Sequence, residues 1–374
     1  MHAPWLGSRK VAFVPVLDAN IDTNPPVDFR DQVFQRVFFD PDPATNIDRS
    51  LQRYIQSISY GRAILAPSVL NVVTSPDADT VGAGLRSLPR DHTFDAACIV
   101  VPSGGLHRTG FAWWDAEPVN RIKNFARVNL GEGLGVWAME VMHCLTEFAD
   151  LYNTVPNLDR FDNMACSCGT HPSTHTKVEL QWLSPTSVAT KAGFGEDTFD
   201  LHAIGLPQPP PPGRWMAVRI PAPTGNNYFL IEARLRSDQY EASTYASSGI
   251  PSEGVIVYEV AGKLEVYLRT PTALGVGDSF SNDDGLEVRV TRKRFGGFRV
   301  TVNTRLGPNK RSVPNVKFLS RTMAGKRIRD TGLKPKFTGA TTGESWVFSQ
   351  SPAPGAVVNV GATVTMQLRS GPVP

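Results

Sequence analysis

The 374-residue sequence predicts an α+β protein of more than one domain. Three observations carry this. Up to about residue 150, short buried apolar runs alternate with segments of helical period. Pro207–Gly213 then places five prolines in seven residues. Beyond it, six short alternating segments follow one another between turn-forming residues.

In chain order, Arg9–Leu17 reads as a buried strand. Asn46–Tyr60 sets Ile47, Leu51, Tyr54, Ile55 and Ile58 at helical spacing, and Gly61 stops that helix. Asp95–Val101 is a second buried strand, closed by Pro102-Ser-Gly-Gly, and a helix over 134–149 follows. The stacked prolines at 207–213 cannot lie inside a helix or a central strand, so they mark a boundary or a stiff crossing. From 214 to 306, Met216–Ile220, Tyr228–Leu235, Gly254–Val260, Leu264–Leu268, Leu286–Arg292 and Phe298–Val302 indicate an antiparallel sandwich or barrel. The last segment is mixed, with a helix around Thr322–Thr331 and strands near Trp346–Gln350 and Thr363–Leu368. The expected domains are therefore 1–206, 214–306 and 308–374.

Apolar content of 41% and charged content of 20% are those of a soluble globular protein. No apolar run approaches the roughly 18–20 residues of a membrane helix, so no membrane span is expected. Met1–Lys10 lacks the basic-then-apolar order of a signal peptide, and no export signal is visible. The net charge of +3 is unevenly spread. Residues 308–374 hold ten Lys/Arg against two Asp/Glu, a net of +8, which leaves −5 on the remainder. A basic terminal segment on an acidic body suggests an anionic partner such as a cell-wall polymer, a lipid headgroup or nucleic acid, against a simple solvated face. The four cysteines are Cys98, Cys144, Cys166 and Cys168. Cys166 and Cys168 flank a single residue, so buried thiols or a bond to Cys98 or Cys144 are expected before a bond between them. With His171 they also form a C-x-C-x-x-H spacing that could seat a metal.

The chemistry-bearing segment is Ala138–Tyr152. The pattern H-E-x-x-H puts two histidines one helical turn apart with a glutamate general base between them. Here Glu140 and His143 hold the second and fifth positions, and Met139 stands at the first. A thioether is a soft donor that suits Cu(I) better than Zn²⁺.

Several segments together resemble the immune-inhibitor-A family of bacterial metallopeptidases. Leu51–Gly61, ending Ser-Ile-Ser-Tyr-Gly, is similar to that family's Tyr-x-x-x-Ser-Tyr-Gly stretch, and 139–152 to its H-E-x-G-H-x-L-G-L-P-D-L-Y motif. Phe161-Asp-Asn-Met164 resembles its Asp-x-Met turn, and His171–Leu183 its H-P-S-A-x-x-K-x-x-L-G-W-L segment. Asn227–Arg234 and Gly249–Tyr258 resemble its two later strands. The resemblance implies a zincin-like domain followed by an antiparallel β-sandwich, with zinc held by two histidines and an acidic residue. This chain departs from that pattern at Met139, at Met142 in place of a small glycine, and at Asp150, which lies seven positions after His143 instead of six. The helix-breaking glycine is also replaced, by Thr146 or Glu147.

Residues 313–371 resemble a PASTA domain, a small α+β module of penicillin-binding proteins and cell-wall-sensing kinases. The carriers are Val313-Pro-Asn-Val316, Thr331-Gly-Leu333, Phe348–Gly355 as Q-x-P-x-x-G, and the closing Val358–Val364. That resemblance implies binding to peptidoglycan or a spacer role.

The expected function is that of a metalloprotease-like protein, catalytically inactive, acting as a binding or assembly scaffold at the bacterial envelope or on an extracellular structure. Its partner would be a protein or a cell-wall polymer reached through the basic module, with homo- or hetero-oligomers open. No cofactor is expected, and zinc is the alternative. On that alternative Glu140 is the base of an active endopeptidase and His143, Asp150 and Glu147 offer ligands, with His171 or His175 to complete the site. A second alternative is a structural subunit of a larger assembly. Glu140 is otherwise a leftover carboxylate, Met139 and Met142 fill the emptied pocket, and His171 and His175 take surface or capping roles. Trp113, Trp114, Trp182 and Trp215 are expected in the core before a binding groove. No G-x-S-x-G elbow, P-loop or dinucleotide fingerprint occurs.

Overall fold

The computed structural model describes all residues except 1–2, 23, 90–93, 104–107, 112–123, 207–208, 223–226, 245–246, 263, 283, 305–309, 341–344 and 372–374. Trp113, Trp114, His92 and the first two residues of the proline block lie outside the described residues. The chain divides into two compact units, Met1–Ser187 with Ile204–Pro210 and Arg234–Glu253, and Val188–Ala203 with Pro211–Ala233 and Gly254–Pro374. These units cut across the sequence boundaries at 206 and 214, because 188–203 belongs to the second and 234–253 to the first.

In the first unit β1 (Gly7–Asp18) is the hub, pairing in parallel with β2 (Ala63–Val69), with β3 (Val73–Ser75) and with β4 (Ala96–Val101). Of the remaining strands, β5 (Arg108–Phe111) runs antiparallel to β6 (Asn124–Asn129), which itself lies parallel to β4. Val11–Val16 and Ala96–Val101 are buried throughout, as expected of parallel strands covered on both faces. Their length and apolar continuity made them legible. β2 escaped, because Ala63–Val69 starts two residues after Gly61 and contains Pro67.

Among the described residues six helices accompany this sheet: α1 (Phe29–Phe38), α2 (Leu51–Ile58), α3 (Thr80–Arg86), α4 (Leu134–Thr146), α5 (Asn163–Cys166) and α6 (Thr174–Glu179). The helix predicted over 46–60 is shorter. Ser50 caps α2 by accepting the Arg53 N–H, so Leu51, Tyr54, Ile55 and Ile58 are buried while Ile47 lies before the helix, exposed. Val81, Ala83, Leu85 and Leu88 pack on Ala12, Val14, Val16, Ala97 and Ile99 to form one of the cores.

The second unit contains two five-stranded sheets instead of a closed barrel. Its strands are β7 (Val188–Thr190), β8 (Gly195–His202), β9 (Arg214–Trp215), β10 (Ala217–Pro221), β11 (Tyr228–Arg234), β12 (Gly254–Val260), β13 (Val266–Leu268), β14 (Ser279–Ser281), β15 (Leu286–Arg294) and β16 (Gly297–Thr304). One sheet runs β13-β12-β11-β10-β7 and the other β14-β15-β16-β8-β9. The six predicted strands are present, and β7, β8, β9 and β14 are additions. β8 is exposed over its first four residues, which hides the alternation. It is anchored across the ladder, where Arg299 grips Asp200 with two hydrogen bonds of 2.7 Å and holds its carboxyl below the usual range.

The C-terminal segment comprises β17 (Lys310–Ser312), α7 (Arg321–Asp330), β18 (Lys334–Gly339), β19 (Ser345–Ser351), β20 (Val357–Asn359) and β21 (Thr363–Ser370). β17 pairs with β20, and the other three strands form a sheet in the order β18-β21-β19. Ala324 and Ile328 of α7 pack with Val313, Val316, Leu333, Val347, Val364, Met366 and Leu368. Gln350 explains the glutamine of the Q-x-P-x-x-G pattern. Its side chain accepts the Val316 N–H at 2.8 Å and donates to the Pro314 carbonyl at 2.9 Å, fastening the segment's entry to β19.

Candidate functional site

Helix α4 ends without a glycine. Glu147 takes the left-handed conformation (φ 58°) that a glycine would adopt more cheaply, and its N–H still bonds the His143 carbonyl. Thr146 secures the reversal: its hydroxyl donates to the Met142 carbonyl at 2.6 Å and accepts the Phe148 N–H at 3.2 Å. The continuous helix expected over 134–149 is therefore corrected. This early stop turns the chain back and brings the Asp150 carboxylate to His143, Nε2 to Oδ1, at 2.8 Å.

The other ring nitrogen, Nδ1, meets the Phe148 carbonyl. A carbonyl oxygen can only accept, and the carboxylate also accepts, so both ring nitrogens of His143 must donate. Both contacts favour the charged, doubly protonated ring. Burial opposes this charge, but the hydrogen bond and charge of Asp150, with the Phe148 carbonyl and nearby Glu140, raise its pKa overall. Asp150 also accepts from the Tyr152 hydroxyl, which pushes that phenol up to about 12.

This arrangement does not fit zinc. Both ring nitrogens of His143 already face oxygen partners, and zinc requires a ring nitrogen free to give its lone pair. The sulfur of Met139 accepts a hydrogen bond from the Ser167 hydroxyl at 3.0 Å. Glu147, at the left-handed cap, is exposed and no longer continues the helical row that would pair it with His143. Among the described residues, no three His, Cys, Asp or Glu come together in a group that could hold a metal ion. Of the sequence-predicted residues, His143 and Asp150 are brought together, bonded to each other. Glu140 is buried at 5% exposure, within electrostatic reach of His143, Cys98 and Cys144. Burial pushes both of those thiols far up.

Two expectations are overturned nearby. Cys166 and Cys168 are bonded to each other, and Cys98 and Cys144 are free and buried. The left-handed turn at Ser167 (φ 56°) brings the flanking Cα atoms to 5.2 Å, inside the normal range for a bridge. His171 and His175 are buried at 1% and 2% exposure and are not surface residues. His171 lies between Lys177, whose Nζ is 3.1 Å from Nδ1, and Asp238, 2.7 Å from Nε2. Lys177 itself donates to the Ile58 carbonyl at 2.7 Å and rests over the Tyr60 ring. Beside them Arg234 makes a fully buried pair with Glu241 and donates to the carbonyls of Phe161 and His171. Asp238 also lines a cleft of about 620 Å³ with Asp48, Arg53, Gln56, Gln239 and Tyr240. Sequence reasoning missed this network because it joins segments far apart in the chain, as His171 to Asp238 and Lys177 to Ile58. Trp182 is a core residue, donating to the Trp5 carbonyl at 2.9 Å, while Trp215 is half-buried in β9.

Residues 311–370 are a PASTA domain. Comparison with curated proteins finds no match for the chain. No helix among the described residues is long and apolar enough to cross a membrane.

Proposed function

We propose that the first unit is a metalloprotease-like scaffold without peptidase chemistry, and that the chain works by binding or assembly at the bacterial envelope or on an extracellular structure. The observation that carries the reading is the double engagement of His143 by Asp150 and the Phe148 carbonyl. A general base at Glu140 has no polarised water to activate when both nitrogens of the neighbouring imidazole are engaged by Asp150 and Phe148. The family likeness of the sequence, a mostly parallel sheet with an antiparallel edge strand, and the helix bearing Glu140 and His143 support the zincin-like assignment.

The PASTA domain supplies the binding function on this reading. Eight of the ten Lys/Arg between 308 and 374 are exposed, among them Arg321, Lys326, Arg327 and Arg329 on α7 and Lys334 and Lys336 on β18. Such a surface suits an anionic cell-wall polymer bearing carboxylate or phosphate. The test combines zinc quantification of the purified protein, casein digestion by wild type and Glu140→Gln, and co-sedimentation with insoluble peptidoglycan at several salt concentrations. No stoichiometric zinc, no digestion and salt-sensitive co-sedimentation are expected. Stoichiometric zinc with activity lost in Glu140→Gln refutes the scaffold reading. Met139→His tests the same point from the other side, since zinc uptake by that variant near neutral pH would show that His143 is available after all.

A further inference from the structure

We propose that Cys166–Cys168 is a solvent-accessible redox site that exchanges with dithiols, and that its state is passed to helix α4 through Ser167 and Met139. Phe161–Ala165 and Gly169–Lys177 are buried, and only residues 166–168 between them are half-exposed. The bridge thus sits at the one point of this stretch that a small reductant can reach. It is not needed to fix the loop. A disulfide constrains the unfolded chain in proportion to the logarithm of the residues it encloses, and this one encloses almost none. The same backbone is already held by hydrogen bonds. The Ser167 N–H donates to the Asn163 carbonyl (2.8 Å), the Gly169 N–H to the Asn163 side chain (2.8 Å) and the Ser248 N–H to the Cys168 carbonyl (3.0 Å).

The loop lies flush on α4. A Cβ at Gly135 would stand 2.2 Å from the Ser167 carbonyl oxygen and 2.3 Å from the Gly169 nitrogen. Asn163 donates to the Gly135 carbonyl at 3.1 Å, and the Ser167 hydroxyl donates to the Met139 sulfur at 3.0 Å. Ser167 is the residue enclosed by the bridge, so opening the ring removes a restraint on the side chain that touches the helix while the backbone hydrogen bonds keep the loop in place.

The reductant must come from outside, because the remaining thiols, Cys98 and Cys144, are buried. A thiolate of the dithiol attacks one sulfur of the pair, and the S–S bond breaks with its electron pair leaving on the other sulfur, which takes up a proton. The second thiol of the reductant then displaces the mixed disulfide, so two electrons and two protons pass to the protein and the reductant leaves as its own disulfide.

The test treats the native full-length protein with millimolar dithiothreitol and alkylates it with a maleimide without denaturant. Peptide mass spectrometry then locates the label, and amide exchange of α4 is followed in both redox states. The expected result is label on Cys166 and Cys168 and none on Cys98 or Cys144, restoration of the bridge by oxidised dithiothreitol, and faster exchange in the first turns of α4 on reduction. A bridge that yields only in denaturant overturns the proposal, as does unchanged exchange of α4. The double variant Cys166→Ser/Cys168→Ser is expected to fold with unchanged circular dichroism and to lose the dithiol response. If it fails to fold, the bridge is structural and the proposal fails.

Discussion

Replacing Asp150 by Asn keeps the shape of the side chain at the end of α4 and removes its charge. In the wild type it accepts a 2.8 Å hydrogen bond from a His143 ring whose other nitrogen is engaged by Phe148. Hydrogen bonds to charged groups contribute about 1.5–3 kcal/mol. The side chains of His143 and Asp150 are 13% and 26% exposed, so water screens the pair only in part, and a loss of about 2 kcal/mol follows. The pH dependence is the sharper test. The folded-state pKa of His143 is raised, so its contribution is fully present below the unfolded value of about 6.5 and is lost as pH rises through the folded one. Urea denaturation of wild type and variant should differ by about 2 kcal/mol at about pH 5, with the difference shrinking as pH rises. A difference independent of pH would refute the doubly donating imidazolium, and no difference at all would remove the pair from the account of this turn.

Glu147→Gly should relieve the left-handed strain at the helix end and stabilise by about 1 kcal/mol, seen as a Tm increase of roughly 2–4 °C by calorimetry. Gly135→Ala should destabilise by about 3 kcal/mol, because its Cβ meets backbone that cannot rotate away, and chemical denaturation measures this. Glu241→Gln strands the buried Arg234 guanidinium and should cost about 3–5 kcal/mol in the same assay.

Much of the fold was legible, and the reasons differ by segment. β1 and β4 announced themselves because strands buried on both faces need unbroken apolar runs. Residues 313–371 were legible in part because Gln350 ties the segment's entry at Pro314 and Val316 to β19. The end of α4 was misread, because nothing local forbids a helix from running through Thr146 and Glu147. A threonine hydroxyl and one strained residue replaced the usual glycine. The disulfide was misread for a related reason, since spacing alone does not reveal the left-handed turn at Ser167. His143 and Asp150 were singled out as metal ligands together with Glu147, whereas the bond between them depends on the turn after α4 and on a backbone carbonyl that no sequence pattern reports. The His171 network needs Asp238 and Glu241 from a distant segment, and only the folded chain assembles it.

The interleaving of the two compact units has a consequence for how this chain comes into being. The first unit draws its last segment from Arg234–Glu253, after two stretches of the second unit have already been made. On the ribosome, the Lys177–His171 pair therefore waits for Asp238, and the pocket for the Arg234 guanidinium stays vacant until both of those stretches have been made. Neither unit is a contiguous stretch that a protease could release whole, whereas the PASTA domain is one uninterrupted stretch of the chain.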